Sequence, residues 1–389
     1  MSNSILTVAQ IGCGKFAQHQ DLPNLSTHKQ VKLKWVCDIN AACAGESAEK
    51  FNVPNFTDNF MDIINDPEVD MIKIATSHEA HLPIIEAAAA AGKHIFCEKP
   101  MAMHDKEAFK IIRAVRKNNV KLCVDLNRRM SPAMQALRKK YLEHTAAPKH
   151  NPWQYIETVR EPLAEEKFPH MSIRIQDESS SYGLGHLNPL TGGGSIIGES
   201  VHWLDLACWF FAPALPCEIT AWGSSRLSHG INLKFTDGAS MTLDFSCAGT
   251  FDYPKEQFEV MGEAALFRSL HFVENCYYGM PDAGKETFEL QSDPYPEMGA
   301  GHDAFIAKYM KGVSGSTNAK IVEQTNPLIV DKGHKAMLNA FVDAIINDKP
   351  SPCDELAGYR STLLAQKAIE SIRLKQTLPL QLEDICPCL

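Results

Sequence analysis

The sequence predicts an α/β protein in two parts: a doubly wound parallel sheet, then an α+β region with a mostly antiparallel sheet. Three observations predict it. Apolar strand-like runs alternate with helical stretches over the first third of the chain, which implies parallel pairing through crossover helices. A glycine turn at Gly12-Cys13-Gly14 separates the first run from the first helix. Beyond about residue 127 consecutive strand-like runs follow one another, with the Asp237-Gly238 hairpin signal between two of them.

The elements follow in order. Leu6 to Ile11 is an apolar strand, and Lys32 to Cys37 a strand ending at Asp38. Ala41 to Phe51 reads as a helix, and Asn59 to Ile64 as a shorter one with Asp58 as N-cap. Met71 to Ala75 is a strand, and Leu82 to Ala91 an alanine-rich helix closed by Gly92. His94 to Cys97 and Lys121 to Leu126 are strands flanking the helix Lys106 to Lys117. In the second part, Gln154 to Val159 and Ile173 to Gln176 are short strand-like pieces, and Ser195 to Phe211 is a buried helix. Strands follow over 218–222, 231–235, 241–246 and 257–261, and helices over 335–346 and 354–374. The expected division is 1–126 and 127–389, with helices 335–374 packing back on the first unit.

Charge narrows the function. The net charge of −9 leaves no basic excess to neutralise phosphates, so a nucleic-acid partner is not expected. Met1-Ser2-Asn3-Ser4 lacks a positive leader region, and His202 and Asp205 interrupt the longest apolar run, so neither export nor a membrane span is expected. Twelve cysteines without C-x-x-C spacing read as free thiols in a cytoplasmic protein.

Gly12-Cys13-Gly14-Lys15-Phe16-Ala17 carries a chemistry. The first glycine permits the tight turn, the second lets backbone approach a pyrophosphate, and Ala17 lets the helix pack close to the strand. Helix N–H groups then face the phosphates. Alone the pattern is weak; between the first strand and first helix of a βαβ unit it marks a Rossmann dinucleotide site. Asp38 ends the second strand, where a carboxylate meets both ribose hydroxyls and repels a 2′-phosphate. NAD is therefore expected rather than NADP. Thr76, His81, Glu98 and Pro100 are expected along the cofactor, although His81 reads equally well as a surface or capping residue. His78, His81 and His94 have no metal-ligand spacing, and no metal is expected.

Lys99, in Glu98-Lys99-Pro100, lies at the carboxyl end of a buried strand, where such sheets bind ligands. Gly192-Gly193-Gly194 opens the buried helix, implying close backbone approach to something. On it Glu199, His202 and Asp205 recur at i, i+3 and i+6 on one broad face. Buried polar groups need partners, so this stripe is either a satisfied core network or a substrate-facing site. Histidine titrates near neutral pH and suits proton transfer to or from an alcohol.

The chain resembles the Gfo/Idh/MocA oxidoreductases over nearly its whole length, through residues 12–17, Cys97-Glu98-Lys99-Pro100, the three glycines with His202 and Asp205, and the paired C-terminal helices. The resemblance implies a second domain with a large open sheet that often mediates dimers or tetramers. It implies hydride transfer between NAD(P) and a secondary alcohol of a sugar, cyclitol or related polyol. Lys99 would be the active-site lysine, in a cis Lys-Pro peptide, and His202 the acid/base, oriented by Glu199 or Asp205. Asn127 and Arg128 would meet substrate just beyond the last parallel strand. Many members carry an aspartate four residues before the histidine; here that position is Gly198, with Glu199 beside it. Trp153, Tyr155, His186, Asn188, Trp222 and Tyr253 are further candidates for a sugar pocket. Two other readings remain: an enzyme that retains NAD while cleaving glycosides or exchanging electrons between sugars, and a non-catalytic binding protein.

Overall fold

The computed structural model describes residues 4–146, 168–177, 187–188, 191–249, 254–292 and 328–387. Its first sheet has six strands: β1 (Leu6–Ile11), β2 (Val31–Cys37), β3 (Asn55–Thr57), β4 (Met71–Ile74), β5 (His94–Cys97) and β6 (Leu122–Val124). Their order is β3-β2-β1-β4-β5-β6, every pair parallel. The order reverses at β1, so a crevice opens beyond the carboxyl ends of β1 and β4. The crossover helices are α1 (Leu22–Thr27), α2 (Ala41–Lys50), α3 (Phe60–Ile64), α4 (His81–Ala90) and α5 (Asp105–Lys117). β4, β5 and β6 are almost wholly buried, as strands covered on both faces should be.

Two details differ from expectation. β3 has three residues and was not foreseen. The cap of α3 is Asn59, whose side chain accepts from Met61 N, rather than Asp58.

α6 (Pro132–Ala146) leads into a second sheet, built from β7 (His170–Gln176), β8 (Pro216–Gly223), β9 (His229–Phe235), β10 (Ser240–Ser246), β11 (Glu256–Gly262), β12 (Ala265–Leu270), β13 (Glu274–Tyr278) and β14 (Gly284–Thr287). A short pair follows, β15 (Gln291–Ser292) with β16 (Leu328–Ile329), and β17 (Leu378–Pro379) joins the large sheet at its edge. The nine-stranded order is β14-β13-β12-β11-β7-β10-β9-β8-β17, antiparallel throughout except for β7 with β10. The Asp237-Gly238 turn joins β9 to β10 as expected.

The helix Val201–Phe210 packs under this sheet, buried at every position except Trp209. The helix Glu355–Leu374 returns to the first sheet. Asp354 caps it by accepting from Ala357 N at 3.0 Å. Gln366 donates to Met103 O at 2.6 Å, and Val124 N donates to Cys353 O at 2.9 Å. The segment after Lys99-Pro100 is thus clamped between β6 and the C-terminal helix, which fixes where the lysine emerges. Among the described residues no helix is long and apolar enough to cross a membrane.

Candidate active site

The glycine turn leaves open space beside it. Gly12 has φ +92°, and a Cβ there would stand 2.2 Å from Ala75 O, so the β1–β4 contact itself demands glycine. Gly14 differs: a Cβ there would meet no protein atom within 4 Å, so its bareness serves something other than internal packing. Ala17 is buried and opens a π-helical turn, Ala17–Asp21, of the kind that often marks functional sites. Cys13 N donates to Asp38 Oδ2 at 2.8 Å and Asn40 N to Asp38 Oδ1 at 2.9 Å. The carboxylate is thereby fixed at the end of β2, next to the turn. These residues fit a dinucleotide: backbone N–H groups at Gly14 and Lys15 for the pyrophosphate, Asp38 for the ribose.

The Lys99-Pro100 peptide is cis, as the resemblance implied. Lys99 Nζ donates to Gly198 O at 2.6 Å and to Glu199 Oε1 at 2.9 Å. Burial would raise the Glu199 carboxyl, but Lys99, Lys255 and Arg128 together pull it down to about 2. Glu199 is therefore an anion at neutral pH, and it meets the lysine directly. A cavity of about 390 Å³ opens here. Phe16, Ala75 and Thr76 border it from the first sheet, Lys99 and Glu98 from the end of β5, and Arg128, Glu199 and His202 from the facing wall.

His202 is 2% exposed, with Nε2 3.1 Å from Arg128 Nη1. A guanidinium only donates, so Nε2 accepts and Nδ1 carries the hydrogen. Burial, reinforced by the Arg128 and Lys99 charges, pushes this imidazole well below its ordinary value, and it is neutral at physiological pH. Arg128 also donates to Asn127 Oδ1 at 3.0 Å and Glu256 Oε1 at 3.3 Å, and its guanidinium lies over the Trp203 ring at 5.2 Å. Lys332 reaches the same Glu256 oxygen at 2.6 Å. Burial would raise Glu256, but Lys332 and Arg128 hold it far below the usual carboxylate range.

Several expected residues stand elsewhere. Asp205 does not touch His202; it forms a buried pair with Arg129, through both Nε (3.0 Å) and Nη2. It faces that side because the helix is enclosed all round, so a stripe drawn from spacing alone could not say which partner it meets. His81 is fully buried, held to Pro100 O at 2.9 Å through Nδ1, and lies under the cis peptide rather than at the cavity wall. Glu98 borders the cavity, but its carboxylate turns inward to Lys73 at 2.6 Å. Lys73 also meets Asp21 at 3.2 Å and Asp125 at 3.7 Å, so the three acids enclose an ammonium. Asn127 positions Arg128 and donates to Lys332 O at 2.8 Å. The glycine run serves packing: a Cβ at Gly194 would lie 2.8 Å from Arg226 Cα. Asn188 and Trp222 do not line the cavity, and Trp222 instead covers Gly230. Trp153, Tyr155, His186 and Tyr253, with the 154–159 strand, lie outside the described residues.

The residues that sequence reasoning missed are Glu256, Lys332, Asp125 and His334. None belongs to a local pattern; each enters the site through contacts between distant segments.

Comparison with known proteins gives this geometry a lineage. Residues 6–126 match the Gfo/Idh/MocA family, described as "Oxidoreductase family, NAD-binding Rossmann fold". An oxidoreductase of Bacillus subtilis (strain 168), YrbE, itself uncharacterized, is 27% identical over 385 residues, covering 96% of this chain and 95% of its own. Levoglucosan dehydrogenase of Pseudarthrobacter phenanthrenivorans is 41% identical over 113 residues, 29% of each chain. A solved levoglucosan dehydrogenase in complex with NADH and L-sorbose superposes with a TM-score of 0.73 at 20% identity, covering 97% of this chain and 99% of that one. The glycine turn, the lysine at the end of β5 and the matching segment agree: residues 6–126 form an NAD-binding Rossmann unit of the Gfo/Idh/MocA oxidoreductase family.

Proposed function

We propose that the protein oxidises a secondary alcohol of a sugar, cyclitol or related polyol, or reduces the matching carbonyl, with NAD as hydride partner. The observation that carries this is the convergence of Lys99 and His202 on one cavity that Phe16, Ala75 and Thr76 border from the nucleotide side. The names of its relatives support the substrate class. NAD, when bound, supplies the hydride acceptor at its nicotinamide; Gly14, Lys15 and Asp38 would hold it, and the Asp38 charge favours NAD over NADP.

Lys99 has the position to donate a hydrogen bond to the reacting oxygen and to stabilise the negative charge that develops there. His202 is neutral, the form that can take up the hydroxyl proton. Taking it requires Arg128 to yield its hold on Nε2, and a substrate oxygen entering between them would displace that contact. Glu199 substitutes for the aspartate absent at Gly198 by holding Lys99. The open sheet is the surface through which we expect a homodimer or tetramer.

The test is thermal denaturation with NAD, NADP and a panel of polyols, sugars and glycosides, since ligand binding to the folded state adds stability directly. Ligands that raise the midpoint are then assayed for NADH formation. A polyol that stabilises the protein and yields NADH supports the reading; product formed without net NADH favours a retained cofactor instead.

A further inference from the structure

Besides His78 and His202 the cavity carries a third histidine, His334, on another wall. His334 opens the helix His334–Ile346 and lines the cavity beside Phe16, their rings edge to face at 5.6 Å. Its Nδ1 lies 3.1 Å from Asp125 Oδ2. Asp125, just beyond β6, is 2% exposed. Burial would raise its carboxyl, but His334 and Lys73 hold it well below the usual range, so it is an anion that can only accept. The His334 Nδ1 therefore carries a hydrogen, and Nε2 keeps the lone pair of the ring. The side chain is 18% exposed.

His202 differs on each point. Its Nε2 is taken by Arg128, and it is buried to 2% among cations that oppose its protonation. A base is most effective when it holds its proton readily near the working pH, and His202 is built to release one.

We propose that His334, held by Asp125, is a second acid–base residue of this cavity, on which the hydroxyl proton comes to rest during alcohol oxidation. The inference rests on the hydride-transfer reading. In that reaction the substrate C–H electron pair leaves as hydride to the nicotinamide and the O–H bond breaks. The O–H electron pair closes the carbonyl, and the proton passes through His202, directly or by one water, to the lone pair of His334 Nε2. Asp125 then stands beside the imidazolium as counter-charge. The charged groups around this ring are Asp125 after β6, Asp21 from the helical turn after β1 and Lys73 from β4, while Lys332 and the neutral His202 line the same cavity.

Three measurements on wild type, His334→Gln and His334→Asn test this: the pH profile of kcat/KM, the Kd for NAD, and the histidine ring-nitrogen NMR spectrum of the free protein. The expected result is a fall in kcat/KM of about 10²–10⁴-fold, with the acid-side decline of the profile gone, NAD affinity unchanged and partial recovery with added imidazole. In the wild type the His334 ring nitrogens report a hydrogen on Nδ1 and a bare Nε2. An acid-side decline that survives in both variants overturns the proposal, and so does a loss of NAD affinity large enough to account for the lost rate. The NMR spectrum needs no turnover. A wild type that forms no NADH with any polyol defeats the hydride-transfer reading, while a neutral His334 ring that carries its hydrogen on Nε2 defeats the dyad alone.

Discussion

Lys99 and Glu199 are one hundred residues apart in sequence and 2.9 Å apart in space. That ion pair ties the carboxyl end of β5 to the start of the helix that carries His202. It also keeps the lysine ammonium pointed into the cavity rather than into solvent. Glu199→Gln keeps the shape and removes the charge, leaving Lys99 near Arg128 and Lys332 without its anion. We expect kcat to fall by tenfold or more, and the folded state to lose about 1–3 kcal/mol. Urea unfolding with steady-state kinetics on one preparation checks both.

The same carboxyl sets a pH signature. Its folded value, about 2, lies below the ordinary 4.5, so its stabilising contribution is complete above 4.5 and disappears as pH falls towards about 2. The stability gap between wild type and Glu199→Gln should be constant from neutrality to pH 4.5 and close on further acidification. A gap that widened with acid would show that the carboxyl is not held as an anion.

Asp205 should behave as a structural residue. It and Arg129 are both buried, and removing one partner of such a pair strands a charge, at a cost of about 3–5 kcal/mol. Asp205→Asn is expected to lower the unfolding midpoint sharply, with NAD affinity retained in the fraction that folds. A variant of wild-type stability and collapsed turnover would return Asp205 to the catalytic set.

Asp38 should set cofactor choice. Both its oxygens accept backbone N–H groups, so its charge is fixed where a ribose would meet it. Asp38→Ser should shift the ratio of NADP to NAD affinity towards NADP by tenfold or more, about 1.4 kcal/mol. Paired titrations with the two cofactors measure it.

What could be read beforehand divides along contact range. The turn Gly12 to Ala17, Asp38 and Lys99 act through their own strand ends, and strand ends are visible as apolar runs followed by turn residues. β12, β13 and β14 lie outside the expected strands; β13 is buried at four of its five positions and β14 exposed at all four, so neither shows an alternating pattern. Asp205 was misplaced because one-face spacing cannot choose among partners on an enclosed helix. The His334–Asp125 contact spans 209 positions of sequence and joins two segments with no shared pattern, so only the fold brings it to view.

We expect Lys99 to act on the reacting oxygen of a substrate held against bound NAD. The direct measurement is single-turnover reduction of NAD by wild type and Lys99→Met, with the Kd for NAD taken on the same samples. Unchanged NAD affinity is expected, with a loss of about 10²–10³-fold in the hydride-transfer rate, the scale of removing one oxyanion donor. A Lys99→Met enzyme that reduces NAD at the wild-type rate, or whose whole defect lies in NAD binding, would contradict it.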